Sequence, residues 1–174
     1  MSDEHSARAK LWSMIGEYRF AMLTTQESGE TLRSRPMTTV KRDFDGSLWF
    51  FARSDSAAAW ALTAHPQVSL AYADDGAADF VAVGGSAHVV TDEAVKRQLW
   101  GPAVQAWFPE GPDSPHNLLI RVQAEHAEYW DSKSNRLVQL FSMAKALATG
   151  GTPPDIGEHR KVTMPSENSA NDRP

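Results

Sequence analysis

The sequence contains no cysteine among its 174 residues. Disulfide bonds, thiolate nucleophiles and metal or iron–sulfur sites with cysteine ligands are therefore excluded. No apolar run approaches the roughly 18 residues that suggest a membrane-spanning helix, and the polar first ten residues do not resemble a secretory signal. We therefore expect a cytoplasmic protein that makes no contact with a membrane.

Positive charge is also scarce, because 17 lysine and arginine residues stand against 22 aspartate and glutamate residues, for a formal net charge of −5. No basic block is long enough to follow a phosphate backbone, so we expect no nucleic-acid partner. The six histidines are scattered, without a pair at helical i, i+4 spacing that could chelate a metal. Motifs of nucleophilic triads, zinc helices, P-loops and dinucleotide-binding turns are missing as well, so the sequence indicates no catalytic residue and no metal site.

The apolar content of the chain, 41% of the residues, is sufficient for one domain core. We predict a single domain over residues 1–164, followed by a disordered polar tail at 165–174. Short apolar or alternating runs predict strands at 20–25, 32–41, 47–52, 68–72, 118–122 and 127–130, with one bent strand or a strand pair at 79–90. Helical spacing and capping residues predict helices at 7–18, 57–64, from about 93 to 101, and at 137–147.

This pattern of elements predicts a mainly β fold, an antiparallel barrel of six or seven strands with flanking helices. The Asp45-Gly46 pair is a strong hairpin signal, so the second predicted strand should pair directly with the third. Pro36 within the second strand indicates an edge, a bulge or a ligand-facing position, because proline cannot donate to a strand ladder.

The sequence indicates a ligand site where an aromatic strand runs into the start of the second helix. Arg53, Ser54 and Ser56 gather there, and a helix N-terminus with hydroxyls and an arginine suits a phosphate group. The neighbouring aromatic residues could hold the flat part of the same ligand. The alternative is equally concrete: the serines cap the helix and the aromatic residues fill the barrel.

These segments resemble the pyridoxamine 5′-phosphate oxidase-like superfamily, and within it the bacterial general stress protein 26 branch. The matching segments follow one another in order over roughly residues 8 to 164 and are Arg35-Pro36-Met37, Trp49-Phe50-Phe51 with Arg53-Ser54-Asp55-Ser56, residues 106–112, and Ala127-Glu128-Tyr129-Trp130-Asp131. Their common order and spacing carry the resemblance.

The resemblance implies a split β-barrel with Greek-key-like connections, a homodimer, and FMN in two equivalent clefts at the dimer interface. It further implies a set of flavin-binding residues: Arg35, Pro36, Met37 and Thr38 through the strand backbone, Trp49, Phe50 and Phe51 along the adjoining strand, Ser54 and Ser56 near the phosphate, Arg53 or Lys41 as the cation, and Trp107 beside the partner's flavin. These residues would bind the cofactor and none of them would be catalytic.

One position departs from the family pattern, since Ala58 stands where relatives place a lysine. A charge-assisted contact contributes about 1.5–3 kcal/mol, so its loss weakens FMN by roughly tenfold to a hundredfold unless another cation substitutes. FAD or another flavin is then an alternative to FMN. The positions that hold the vitamin in pyridoxamine oxidases are not recognisable here, so we do not expect oxidation of vitamin B6.

Four functional hypotheses follow from the resemblance. The first is a stress-related oxidoreductase that uses bound FMN for electron or hydride transfer, because the cofactor supplies the redox chemistry. The second is a non-catalytic protein that stores or senses flavin. The third is a barrel for haem or deazaflavin, in which haem would require an axial ligand such as His88 or His116. The fourth is a dimeric barrel without a ligand.

Overall fold

Seven antiparallel strands joined in one sheet form the protein, as seen in a computed structural model that describes residues 2–40, 45–74, 76, 79–131 and 158–164. The strands are β1 Phe20–Gln26, β2 Leu32–Thr38, β3 Ser47–Arg53, β4 Gln67–Asp74, β5 Asp79–Val90, β6 Asn117–Asp131 and β7 Glu158–Thr163. The helices are α1 Ser2–Glu17, α2 Ala57–Ala64, α3 Glu93–Gln98 and α4 Pro102–Trp107, with a short 3-10 turn at Ser28–Glu30. The predicted mainly β fold is confirmed.

The strand order is β2-β1-β4-β5-β6-β3, and β7 pairs with β6 beside this path. Although β2 and β3 are consecutive in the chain, they therefore lie at opposite ends of the sheet. The two ends meet where the backbone N–H of Val40 donates to the carbonyl of Trp49 at 2.9 Å. We call this junction of β2 and β3 the seam of the barrel.

The predicted direct pairing of β2 with β3 is wrong, because β3 forms its ladder with β6. A turn does exist at Gly46, whose φ of 93° lies in the left-handed region that favours glycine. The turn signal is local, however, whereas the choice of partner depends on burial. Residues 47–52 of β3 are all buried, and β6 offers the equally apolar Leu119, Ile120 and Val122 as neighbours.

Two predicted boundaries change in the structure. Residues 79–90 form one long strand with a register shift between Gly84 and Gly85, so the bent-strand alternative is confirmed. Residues 118–122 and 127–130 belong to a single strand, β6, which remains continuous because it pairs with β5 on one side and with β3 and then β7 on the other. The sequence analysis missed α4 and β7.

The barrel interior is filled from every side of the sheet. Its largest fully buried apolar side chains include Leu23, Phe50, Leu70 and Ile120, and each contributes roughly 1.5–3 kcal/mol relative to an exposed position. Helix α1 adds Leu11, Met14 and Ile15 to the same cluster. The predicted helix at 7–18 therefore belongs to the core of the barrel.

A second, smaller cluster lies on the other side of β3. It consists of Trp49, Phe51, Leu119 and Val104 of α4. The Phe51 ring contacts Trp100 edge to face, with 5.0 Å between the ring centroids. Strand β3 is thus buried on both faces, which explains its nearly continuous apolar sequence.

Three predictions lie outside the described residues: the site residue Lys41, the helix at 137–147 and the disordered tail at 165–174. Among the helices that are described, none is both long enough and apolar enough to cross a bilayer.

Candidate functional site

A large cleft opens along the seam of the barrel. It has a volume of about 1190 Å³, which exceeds the roughly 300–1,000 Å³ of ordinary ligand pockets. Its lining comes from four separate parts of the described chain, namely residues 12–20 around the end of α1, 35–40 of β2 and the turn after it, 48–58 from β3 into α2, and 99–108 around α4. The cleft can therefore hold a ligand of cofactor size.

Eight of the twelve predicted site residues line this cleft, namely Arg35, Pro36, Met37, Thr38, Phe51, Arg53, Ser56 and Trp107. Three others lie elsewhere. Trp49 belongs to the second cluster, Phe50 is fully buried in the barrel interior, and the backbone N–H of Ser54 donates to the carbonyl of His116 at 2.8 Å. The twelfth is Lys41, which is not described.

Strand β2 forms one wall of the cleft and is a terminal strand of the sheet. In the described part of the chain it pairs with β1 alone, so its second edge presents backbone groups without a strand partner. Pro36 is tolerated in such a strand because an edge proline removes no ladder hydrogen bond. A planar ring with polar edges could pair with the backbone along this wall.

Arg35 is fixed in place at the β2 wall by Thr25 of β1 and by Glu27, which follows β1. Its Nη1 donates to Thr25 Oγ1 at 2.8 Å, and its Nη2 contacts the carboxylate of Glu27. Glu27 also faces Arg33 at 3.6 Å. The charge of Arg35 is thus already compensated before any ligand arrives.

The start of α2 forms the opposite wall. Ser56 caps the helix, because its hydroxyl oxygen accepts from the Ala59 N–H at 3.2 Å. The capping role proposed as the alternative for Ser56 therefore exists, and it leaves the hydroxyl hydrogen for another acceptor. Ala58 lines the cleft and is buried, so the departure from the family pattern falls within the cleft itself.

Arg53 lies beside this helix start and is held by two carboxylates. Its Nη1 lies 3.0 Å from Glu110 Oε1, and its Nε lies 3.3 Å from Asp55 Oδ1. The hydrogen bond with Glu110 and the charge of Asp55 raise the pKa of Arg53. The pKa of Glu110 is lowered by a hydrogen bond from its own backbone and by Arg53, which makes both groups fully charged at neutral pH.

Apolar side chains complete the cleft from α1 and from the region of α4. Trp12 and Ile15 contribute from α1, and Val104 and Phe108 from the other side. Of these two walls the sequence analysis predicted Trp107 of α4 and missed the other residues. Pro102 directly after Gly101 could have indicated a helix start, because proline is favoured at the first helical position, but no local signal shows which helix face borders a cleft.

The hydroxyl of Tyr72 connects the barrel interior with the cleft. It lies 3.1 Å from Oγ1 of Thr39, a lining residue, and the Tyr72 ring stacks on Tyr18 at a centroid distance of 6.0 Å. Burial raises the pKa of Tyr72 to about 12, against an opposing effect of the Thr39 hydrogen bond. The phenol is therefore neutral throughout the physiological range.

The described lining of the cleft contains no histidine. His88 lies on β5 in register with Arg121 of β6, and His116 precedes β6; neither lines the cleft. The haem alternative thus receives no axial histidine from these two positions. In the described ranges no group of three or more histidine and carboxylate side chains could hold a metal ion.

Comparison with known proteins identifies a family and several relatives. Residues 6–155 match the family described as pyridoxamine 5′-phosphate oxidase like. The Neurospora crassa protein bli-3 is 26% identical over 163 residues, which cover 88% of this chain and 78% of bli-3.

Two crystal structures share the fold. One, described as a general stress protein 26 from Jannaschia sp. CCS1, has a TM-score of 0.72 and 26% identity, over 94% of this chain and all of that chain. The other, described as the general stress FMN/FAD binding protein of Xanthomonas citri, has a TM-score of 0.62 and 33% identity, over 70% of this chain and 86% of that chain.

Proposed function

We propose that this chain, which belongs to the pyridoxamine 5′-phosphate oxidase-like family, binds a flavin in the cleft at the seam, with FMN as the first candidate. The observation that carries the proposal is that one cleft combines the edge of β2 with the start of α2. The Xanthomonas citri relative is described as binding FMN or FAD, which supports the same class of ligand.

The residues present fit the two parts of a flavin. The isoalloxazine ring is planar and carries polar groups on its edge, which suits the backbone of Pro36, Met37 and Thr38 together with the apolar Phe51. The ribityl chain and its phosphate suit Ser56 and Arg53 at the start of α2. Trp107, with 69% of its surface exposed, could cover the ligand from α4 or reach a second subunit.

A bound flavin supplies redox chemistry by exchanging one or two electrons. The chain's own residues would bind and orient the ring and exclude water from it. Because the bound cofactor itself would carry the electrons, we propose a flavin-dependent oxidoreductase. A protein that only stores or senses flavin needs the same cleft, so the two functions differ in reactivity and not in binding.

Two alanines of α4 provide a matched test of the location. Ala103 lines the cleft, whereas Ala106 is exposed on the same helix and does not line it. Ala103→Trp should lower FMN affinity at least tenfold because the indole occupies the cleft, and Ala106→Trp should leave it within twofold. Titrations followed by flavin fluorescence measure both; equal effects of the two substitutions would place the flavin elsewhere.

The oxidoreductase is separated from the storage protein by the reduction of the bound flavin. Anaerobic NADH or NADPH should bleach the flavin absorbance near its visible maximum within seconds to minutes if the protein is an enzyme that uses these donors. A flavin that is bound but is not reduced by either donor favours storage or sensing. Bound flavin in the purified protein would be recognised from its two-band yellow spectrum.

We also propose that a second copy of the chain covers the outer face of the sheet. The register of β1, β4, β5 and β6 places four large apolar side chains on this one face, namely Phe20, Met22, Phe80 and Trp130. They are 37% to 50% exposed. An apolar face of this kind is typical of an interface between subunits.

The dimer is tested by sedimentation at micromolar concentration. Phe80→Glu should convert a dimer into a folded monomer, because it puts a charge opposite Trp130 within the face. Trp60→Glu is the control, since Trp60 is a larger and more exposed aromatic residue that lies on α2 and outside this face. A native chain that sediments as a monomer would exclude the proposed dimer.

A further inference from the structure

At the proposed phosphate position, the positive charge of Arg53 is already paired with carboxylates. Arg53 and Asp55 line this end of the cleft and lie 3.3 Å apart. Glu110 is not among the lining residues and contacts Arg53 at 3.0 Å. Ala58, which lines the cleft nearby, adds no charge. The three charged side chains together carry a net charge of −1.

A flavin phosphate would have to compete for Arg53 in this arrangement. A phosphate monoester carries a charge of about −1.5 to −2 at pH 7 and prefers the same guanidinium N–H groups that Glu110 occupies. Riboflavin has the same ring without the phosphate, so it escapes both the competition and the repulsion. The two flavins therefore report separately on the ring site and on the charge at Arg53.

The two carboxylates differ in how they reach Arg53. Asp55 is two residues away in the chain and moves with the arginine, whereas Glu110 comes from the segment after α4, 57 residues away. Both Arg53 and Glu110 are exposed, with 43% and 42% of their side-chain surface accessible. Glu110 can therefore be changed without altering the α2 cap or the β2 wall.

We infer that Glu110 is a specificity-determining residue: by holding Arg53, it lowers the affinity of the cleft for FMN relative to riboflavin. This inference rests on the proposed flavin site. The consequence is that the native chain discriminates poorly between a flavin with a terminal phosphate and one without. The carboxylate of Glu110 accepts from an Arg53 N–H group that a phosphate would otherwise bind.

The test compares the affinities for FMN and riboflavin in the native chain and in Glu110→Gln, which keeps the size of the side chain and removes its charge. We expect FMN to bind about threefold to tenfold more tightly to the variant, in line with one exposed ion pair and one repulsive charge. Riboflavin affinity should remain within twofold. Fluorescence-quenching titrations at low ionic strength measure both ligands.

Asp113→Asn is the matched control. Asp113 lies three residues from Glu110 and pairs with Arg97 at 2.7 Å, so the substitution makes the same change in net charge at a different arginine. It should leave the ratio of the two affinities unchanged. A control that raises the ratio as much as Glu110→Gln would overturn the inference, because the effect would then be one of overall charge.

The outcomes also separate this inference from the proposed function. If both flavins bind and Glu110→Gln leaves their ratio unchanged, the inference fails while the flavin site stands. If neither flavin binds to the native chain or to the variant, the proposed function fails and the inference fails with it. A thermal melt of each variant confirms that it is folded before it is titrated.

Discussion

The interior of the barrel and the cleft at its seam are built from the same strands by different rules. Leu23, Phe50, Leu70 and Ile120 in the interior are fully buried and purely apolar. The cleft mixes apolar walls with arginines, hydroxyls and two carboxylates, and it draws on four distant parts of the chain. The interior follows from alternation along each strand, whereas the cleft exists only once the ends of the sheet have met.

Strand β3 shows the difference between consecutive residues. Phe50 points into the interior, and the next residue, Phe51, lies on the opposite face and lines the cleft. The resemblance to the family predicted both Phe50 and Phe51 as flavin-binding residues. The structure separates them, so substitutions in the two regions should have different consequences.

The largest expected effect is loss of stability at Phe50. Phe50→Ala should lower the free energy of unfolding by about 3–5 kcal/mol, because it leaves a cavity in a fully buried site. Trp107→Ala should change it by less than about 0.5 kcal/mol, since most of Trp107 is exposed, but should lower flavin affinity. Urea unfolding and flavin titration measure the two effects. The distinction between interior and cleft would break down if Phe50→Ala left stability intact and weakened flavin alone.

A second test addresses the bend of β5, where a Cβ added at either of two glycines would meet a neighbour. A Cβ at Gly85 would lie 2.0 Å from the backbone carbonyl oxygen of Gln123, so Gly85→Ala should cost about 1–3 kcal/mol or more. A Cβ at Gly84 would meet the ring of His126 at 2.2 Å, and that exposed ring can turn away.

Removing the His126 side chain should therefore rescue the stability of one glycine variant and not of the other. His126→Ala should restore most of the stability lost in Gly84→Ala, and it should not restore the stability of Gly85→Ala, because the obstacle there is backbone. Thermal melts of the two single and two double variants decide the matter. Rescue of Gly85→Ala would mean that the strand can shift its register at this bulge.

Sequence signals predicted those elements whose causes are local. Helix α2 was predicted at 57–64 and begins and ends at those residues, because the Ser56 cap and the His65-Pro66 stop both act within one turn. The pairing of β3 could not be predicted in the same way. Its hairpin signal at Gly46 is local, but its partner is chosen by burial of both its faces against α4 and the barrel interior.

The candidate site divides along the same line. The β2 and α2 walls could be predicted from two short motifs, one containing Arg35 and the other containing Arg53 and Ser56. The ion pair of Arg53 with Glu110 could not, because it joins residues 57 positions apart. The resemblance supplied the β2 and α2 walls and Trp107 of α4. It missed the α1 wall and the rest of the α4 wall, which only tertiary packing brings to the cleft.

A smaller effect is expected at the helix cap on the cleft. Ser56→Ala should lower the free energy of unfolding by about 1 kcal/mol, since it removes the acceptor for the Ala59 N–H. Ser54→Ala serves as the control for removal of a nearby hydroxyl. If Ser56 also holds a ligand, its substitution should lower FMN affinity more than riboflavin affinity; an equal effect on both flavins would assign Ser56 to the cap alone.

At neutral pH, an effect of similar size is expected at Tyr72, which joins the two regions. Tyr72→Phe removes the hydrogen bond to Thr39 and should lower the free energy of unfolding by about 0.5–1.5 kcal/mol.

The same substitution should also change how stability depends on pH, with a definite sign. Because burial raises the pKa of Tyr72 to about 12, above the value of about 10 for an unfolded tyrosine, the folded state retains the phenol proton more strongly. The stability that this proton contributes is complete below pH 10 and is lost as the pH rises from about 10 towards 12. The native chain should therefore lose stability more steeply over this range than Tyr72→Phe, as measured by urea unfolding at pH 8, 9, 10 and 11. Parallel losses in the two proteins would show that Tyr72 ionises in the folded state as it does in water, and that the interior is open to solvent at the cleft.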